Sequence, residues 1–191
     1  MLKYLLKQKW VDKSELIVAG HSQGSKVAVK IANDYKYVTK LGLFSANPFG
    51  RIDQNIRAYR KDAESKKITW DEADKLIEDE YQTYKDSFDP EKIKTNPNLI
   101  AWRSFSKPFI DDLTKLKIPI YLAYGTNDLA SDLCDLVPLY FIKNNNQNLT
   151  YKRYLNLEHN FFEVNDNGRA NHEKAHWVEV MNTFIEWTLK E

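Results

Sequence analysis

The spacing of apolar residues changes period along the chain, and each change marks an element. Leu2, Leu5, Leu6 and Trp10 recur at helical intervals between lysines, which predicts an amphipathic helix over the first dozen residues with one face on a core. Asp12-Lys13-Ser14-Glu15 turns the chain into the unbroken apolar run Leu16-Ile17-Val18-Ala19. After a glycine-flanked segment, Val27, Ala28, Val29, Ile31 and Ala32 return to helical spacing over residues 25–35. Residues 38–45, 118–124 and 149–155 are further strand runs, and Trp177, Val180, Met181, Phe184, Ile185 and Leu189 mark a closing amphipathic helix. That helix is expected to cover one sheet face. Asn165-Asp166-Asn167-Gly168 before it is a turn, and the polar stretch from Asn144 to Asn148 is a solvated connection.

Residues 51–116 follow another pattern, with few β-branched residues and much Lys, Asp, Glu and Tyr. Helices are expected over 52–66 and 70–84, the second opened by Thr69 as N-cap with Glu72 completing a capping box. Asp89-Pro90, Asn96-Pro97 and Lys107-Pro108 punctuate the remainder. Strands alternating with helices give an α/β class: a mostly parallel sheet flanked by helices, interrupted by a helical insertion. Within that insertion Trp70, Tyr81, Tyr84, Phe88, Trp102, Phe105 and Phe109 are pocket candidates, most of them expected to be its core.

A length of 191 residues suits one domain with a sizeable core. Net charge of +1 leaves no field that argues for nucleic acid or an anionic membrane surface. Cys134 is the single cysteine, which excludes an internal disulfide, and no Cys/His cluster carries a structural-metal signature. No apolar run reaches membrane-spanning length, and the opening segment is too short and too soon interrupted by lysine for a signal peptide. If Met1 is the true start, a cytoplasmic product is expected.

Gly20-His21-Ser22-Gln23-Gly24 matches the G-x-S-x-G nucleophile elbow, a sharp strand-to-helix turn that exposes the serine hydroxyl. A serine in αL-like strain is crowded from two residues on either side, which explains glycine at both Gly20 and Gly24. The helix that follows aims its amino-terminal N–H groups at charge developing on an attacked carbonyl, and the Gln23 N–H is the expected oxyanion donor. His21, the variable residue of the elbow, is expected to point away from Ser22 and to pack or cap.

With the elbow in this strand and helix context, the sequence resembles the carboxyl-terminal half or more of an α/β-hydrolase of the serine esterase and peptidase type, over nearly its whole length. The resemblance implies a single domain over 1–191 that lacks the family's first strands, with 51–116 as a cap that sets substrate choice. It places the triad acid in the Gly125-Thr126-Asn127-Asp128 turn after a strand, making Asp128 the candidate with Asp132 and Asp135 as rivals; taken alone, Asp128 reads as a turn cap. It places the base at His159, in the loop after the next strand, whereas His172 and His176 read as structural or surface residues. The order Ser22, Asp128, His159 is that of α/β-hydrolases.

The implied chemistry is cleavage of a carboxylic ester, thioester or amide, from a small-molecule ester or a peptide, through an acyl-enzyme and without cofactor. The missing strands also take away the loop that gives the family its second oxyanion donor. They would leave the elbow strand at a sheet edge that invites self-association into a homo-oligomer. The alternative function is therefore a silent or impaired hydrolase-fold module that binds a partner or self-associates. A dinucleotide fold is disfavoured because the elbow lacks the G-x-G-x-x-G glycines.

Overall fold

The computed structural model describes residues 2–190. Strands β1 (Leu16–His21), β2 (Val38–Phe44), β3 (Ile120–Gly125) and β4 (Leu149–Tyr154) form a sheet in that order, each neighbouring pair parallel. The mostly parallel, helix-flanked architecture expected from the sequence is the one observed. The helix expected over the first dozen residues is not: α1 covers only Leu2–Leu5, and Trp10 stands 75 % exposed rather than on a core. One helical turn is too short to carry a continuous apolar face from residue 2 to residue 10.

Helix α2 (Gln23–Asp34) crosses between β1 and β2, as a parallel connection requires. The register fixes which residues face it. Gly20 pairs with Leu43, and a Cβ at Gly20 would fall 2.2 Å from the Gly24 carbonyl oxygen, so Gly20 and Leu43 lie on the α2 side. Ala19 and His21 pair with Gly42 and Phe44 on the opposite side. There the closing helix α9 (Trp177–Thr188) packs Val180 and Phe184 against Phe44, Tyr121, Ala123, Tyr154, Leu157 and Phe161, forming one apolar cluster. The Phe184 ring lies edge-on to Phe44 at 5.2 Å between centroids. Lys40 Nζ donates to the Thr188 and Lys190 carbonyls and so ties the end of α9 to β2.

Two compact units are present: one holds the sheet and runs to Ala46 and from Ile110 onward, the other is Asn47–Phe109. The second unit is helical: α3 (Arg51–Glu64), α4 (Trp70–Asp86), α5 (Pro90–Thr95) and α6 (Asn98–Ser106). The Thr69–Glu72 capping box is present, and Asp89 caps α5 with Pro90 in its first turn. Glu80 on α4 accepts hydrogen bonds from Asn55 Nδ2 and Tyr59 Oη on α3. Of the aromatic core expected here only part is observed, Phe109 being buried and Trp102 half-buried. The buried residues of α3 and α4 are Ala63 and Ala73, while Trp70, Tyr81, Tyr84, Phe88 and Phe105 are exposed. Small side chains at a helix contact bring the axes close and leave rings no interior space.

The sheet unit also holds α7 (Ile110–Lys115), a 3₁₀ turn (Asp132–Leu136), α8 (Val137–Lys143) and an antiparallel hairpin of β5 (Phe162–Val164) and β6 (Ala170–Ala175). Among the described residues no helix is long and apolar enough to cross a membrane.

Candidate active site

Ser22 follows the last residue of β1 and precedes the first of α2, with φ 54° and ψ −123°. Positive φ is as the elbow requires; the ψ value lies outside the αL basin, so the αL-like conformation expected from the sequence is corrected to a rarer and more strained one. The strain is held on both sides. Ser22 N–H donates to the Phe44 carbonyl at 2.8 Å, and its own carbonyl accepts from Ser25 N–H at 3.0 Å. Gly20 is obligatory because any Cβ there would strike α2 backbone. Gly24 is not: a Cβ there meets nothing within 4 Å, which corrects the expectation that both glycines relieve one clash. Gln23 opens α2, so its N–H belongs to the first turn, which has no intrahelical acceptor.

The Gly125–Asp128 turn and the His159 loop are held against each other. A Cβ at Gly125 would lie 2.1 Å from the Leu157 carbonyl oxygen, so only glycine permits this approach. Asn127 N–H donates to that same carbonyl, and Glu158 folds its carboxylate over the Asn160 and Phe162 N–H groups to close the loop. His159 is thereby brought to Ser22 and Asp128. Its Nε2 lies 2.8 Å from Ser22 Oγ, and its Nδ1 lies 2.8 Å from Asp128 Oδ2. Because a carboxylate only accepts, the network requires the proton on Nδ1 and leaves Nε2 to accept from the Ser22 hydroxyl.

Asp128 is buried, and the turn-cap reading and the histidine-partner reading both hold for it. Oδ1 accepts from Ala130 N–H, while Oδ2 accepts from Ser131 Oγ as well as from His159. Of its rivals, Asp135 accepts from the Tyr124 phenol, whose pKa burial and this carboxylate push well above the ordinary value. Asp132 sits in the 3₁₀ turn. His172 packs edge-on to Phe162, and His176 bridges Glu163 and Glu179. Cys134 is buried with its thiol directed at the Ala46 carbonyl. Among the described residues no group of three or more His, Cys, Asp or Glu side chains is placed to hold a metal ion.

Sequence reasoning missed two neighbours of the base. His21 packs, as expected, and its Nε2 lies 2.9 Å from the His159 carbonyl oxygen, while its ring lies 5.1 Å from the His159 ring and edge-on to Trp177. Ser45, fully buried at φ 47°, donates its hydroxyl to the same carbonyl at 2.8 Å. Strand alternation held the signal for His21, since it shares a face with Ala19 and therefore with the α9 side of the sheet. For Ser45 the sequence held none.

No protein-family model matches the chain, and no curated protein sequence does. Solved structures do. The fold is similar to the Pyrococcus furiosus esterase Pf2001 (TM-score 0.58, 16 % identity, 98 % of this chain and 58 % of that one). It is similar as well to MGS-MChE2, an α/β hydrolase enzyme from a sediment metagenome of the Mar Chica lagoon, Morocco (TM-score 0.51, 15 % identity, 97 % and 65 % covered). A third similarity is to an α/β fold family hydrolase from Bacillus anthracis str. Sterne (TM-score 0.50, 15 % identity, 92 % and 68 % covered). The chain spans less than two thirds of the length of the first two.

Proposed function

We propose that this chain, which has the α/β-hydrolase fold, is a serine hydrolase that cleaves a carboxylic ester, thioester or amide through an acyl-enzyme. The observation that carries the reading is the unbroken chain from Ser22 Oγ through His159 to Asp128, with both contacts at 2.8 Å. Ser22 Oγ attacks the acyl carbon while His159 Nε2 takes its proton. Asp128 holds the ring in the Nδ1–H tautomer and stabilises the imidazolium. The Gln23 N–H receives the oxyanion. His159 then returns the proton to the leaving oxygen, sulfur or nitrogen as its bond to the acyl carbon breaks. Water repeats the sequence and releases the acid with Ser22 restored.

The helical unit Asn47–Phe109, inserted in sequence between β2 and β3, is where we place substrate choice, because a long insertion in a compact domain is usually functional. Trp70→Ala and Phe88→Ala are expected to change the preferred chain length among p-nitrophenyl esters while Ser22 keeps its reactivity; an unchanged preference removes the assignment. The test of the chemistry itself is labelling by a fluorophosphonate probe. The expected result is attachment at Ser22, absent in Ser22→Ala and strongly slowed in His159→Ala. A folded protein that fails to label overturns the reading.

A second reading, a module that binds a partner or a second copy without turnover, is supported by β1, which among the described residues pairs with β2 alone and leaves its other side open to a strand. Light scattering separates the two: an unlabelled self-associated particle favours the module, a labelled one the enzyme.

A further inference from the structure

We infer that His21 and Ser45 act as a two-donor clamp on the backbone of His159, making them positioning residues for the proton relay. The inference rests on the serine-hydrolase reading. The His159 carbonyl oxygen lies 2.9 Å from His21 Nε2 and 2.8 Å from Ser45 Oγ, so both of its lone pairs are engaged. A carbonyl cannot donate, which requires a proton on His21 Nε2 and defines the neutral tautomer of that ring. Both donors come from strand ends that also hold the nucleophile. His21 directly precedes Ser22, and Ser45 directly follows Phe44, whose carbonyl accepts from Ser22 N–H.

The clamp therefore ties the loop bearing the base to the backbone bearing the hydroxyl through two short links, independently of the side-chain bond between Ser22 and His159. The surroundings leave these donors little freedom. His21 is wedged between the His159 ring and Trp177, 5.1 and 5.4 Å away, with Phe161 at 6.5 Å. Ser45 is 1 % exposed, and its N–H is held by the Ala123 carbonyl of the neighbouring strand. Ser22, Ser45 and Phe161 all carry positive φ, so the backbone on each side of the clamp is in a conformation that only fixed surroundings maintain. Displacing a reacting group by about 1 Å costs on the order of a hundredfold in rate, which is the scale on which losing such a clamp is felt.

The test uses His21→Phe, which keeps a ring of similar size without the donor, His21→Gln, which restores an N–H at similar reach, and Ser45→Ala. Each donor loss is expected to lower kcat and the fluorophosphonate rate about tenfold with KM little changed, a discrimination of about one decade in barrier terms. His21→Gln is expected to recover part of the loss, which mere packing would not explain. Nitrogen-15 NMR of the imidazoles is expected to show His21 as the Nε2–H tautomer, a readout that needs no turnover. Wild-type reactivity with unchanged rates in folded His21→Phe and Ser45→Ala overturns the clamp alone, as does an Nδ1–H tautomer at His21. A wild-type chain inert to the probe overturns the acyl-enzyme reading and the positioning role with it.

Discussion

The nucleophile and the acid leave the same sheet from strands of opposite character. β3, which delivers Asp128, is buried at all six positions and paired on both sides. β1, which delivers Ser22, is less buried, with half-buried and exposed positions, and among the described residues it pairs with β2 alone. The acid is thus placed by burial, and its carboxylate is fixed by Ala130 and Ser131 before it meets the base. The serine is placed by ties: α2 pressed on Gly20, the Phe44 carbonyl, and the His21 and Ser45 contacts to the His159 loop. Among the described residues β1 has ladder hydrogen bonds on one side, to β2, so these cross-connections carry a larger share of its order than they do for β3.

The largest expected effect tests the acid side. Asp128→Asn keeps one oxygen that accepts from Ala130 N–H, and the NH2 that replaces Oδ2 can donate to Ser131 Oγ once that hydroxyl rotates, so the turn should persist, but the amide no longer enforces the Nδ1–H tautomer of His159. By the proposed relay, kcat on a small ester should fall by about 10⁴ with an unchanged circular dichroism spectrum. A loss below about tenfold would mean that the acid does not act through His159. Next come the strands themselves. Leu122→Ala removes a fully buried side chain from β3 and should cost about 2–5 kcal/mol, whereas Ile17→Ala on β1, a residue already 38 % exposed, should stay below about 1 kcal/mol. Urea midpoints measure both, and equal losses would show that β1 is buried in solution, as a strand-paired assembly would make it.

How much of this was legible in the chain follows the same division. The four strands, the elbow, the capping box at Thr69 and the closing helix came from periodicity and local chemistry, and Ser22, Asp128 and His159 proved to be in contact. The requirement for Gly125 was invisible, because the group that forbids a side chain there is the Leu157 carbonyl, 32 positions away in sequence, and a turn glycine looks the same without it. Ser45 was hidden for the same reason. The hairpin of β5 and β6 escaped because its strands, with Glu163, Asn171, His172, Glu173 and Lys174, carry too little apolar alternation to stand out, leaving only the Asn165–Gly168 turn to announce it. The short α1 and the exposed aromatics of α4 are the converse, apolar spacing without a surface to receive it.

The two elbow glycines sharpen the view that β1 is held by ties. Gly20→Ala forces its methyl group into the Gly24 carbonyl and must push α2 off the strand, so it should both destabilise the fold by about 1–3 kcal/mol and slow the Ser22 reaction. Gly24→Ala meets open space within α2, where alanine is the better helix former by up to about 1 kcal/mol, and should leave stability equal or raised. Thermal unfolding of the pair decides it, and a damaging Gly24→Ala would show that something packs on that flank.

The smallest effect concerns the far end of the support for His21. Trp177, against which His21 packs, opens α9 directly after His176, whose ring bridges Glu179 on the helix and Glu163 on the hairpin. The hydrogen bond to Glu179 is the main cause raising the His176 pKa above its ordinary 6.5, and Glu163, held chiefly by Lys174 and then by His176, is lowered below its ordinary 4.5. The signs are opposite. A raised histidine contributes stability that is complete below about pH 6.5 and fades as pH rises through the folded value, whereas a lowered carboxylate contributes above about pH 4.5 and fades as pH falls through its folded value. Between those limits both contributions are present. Amide exchange of the β5 and β6 residues should therefore be slowest, after correction for intrinsic rates, near pH 5–6 and should rise toward pH 8. His176→Gln should remove the alkaline part of that change while the acid part, which belongs to Glu163 and Lys174, remains. If the variant instead follows the wild-type profile, the hairpin owes nothing to the charge of His176, and Trp177 is positioned by the rings packed on it, Phe161 at 5.1 Å, His21 at 5.4 Å and Phe44 at 6.3 Å.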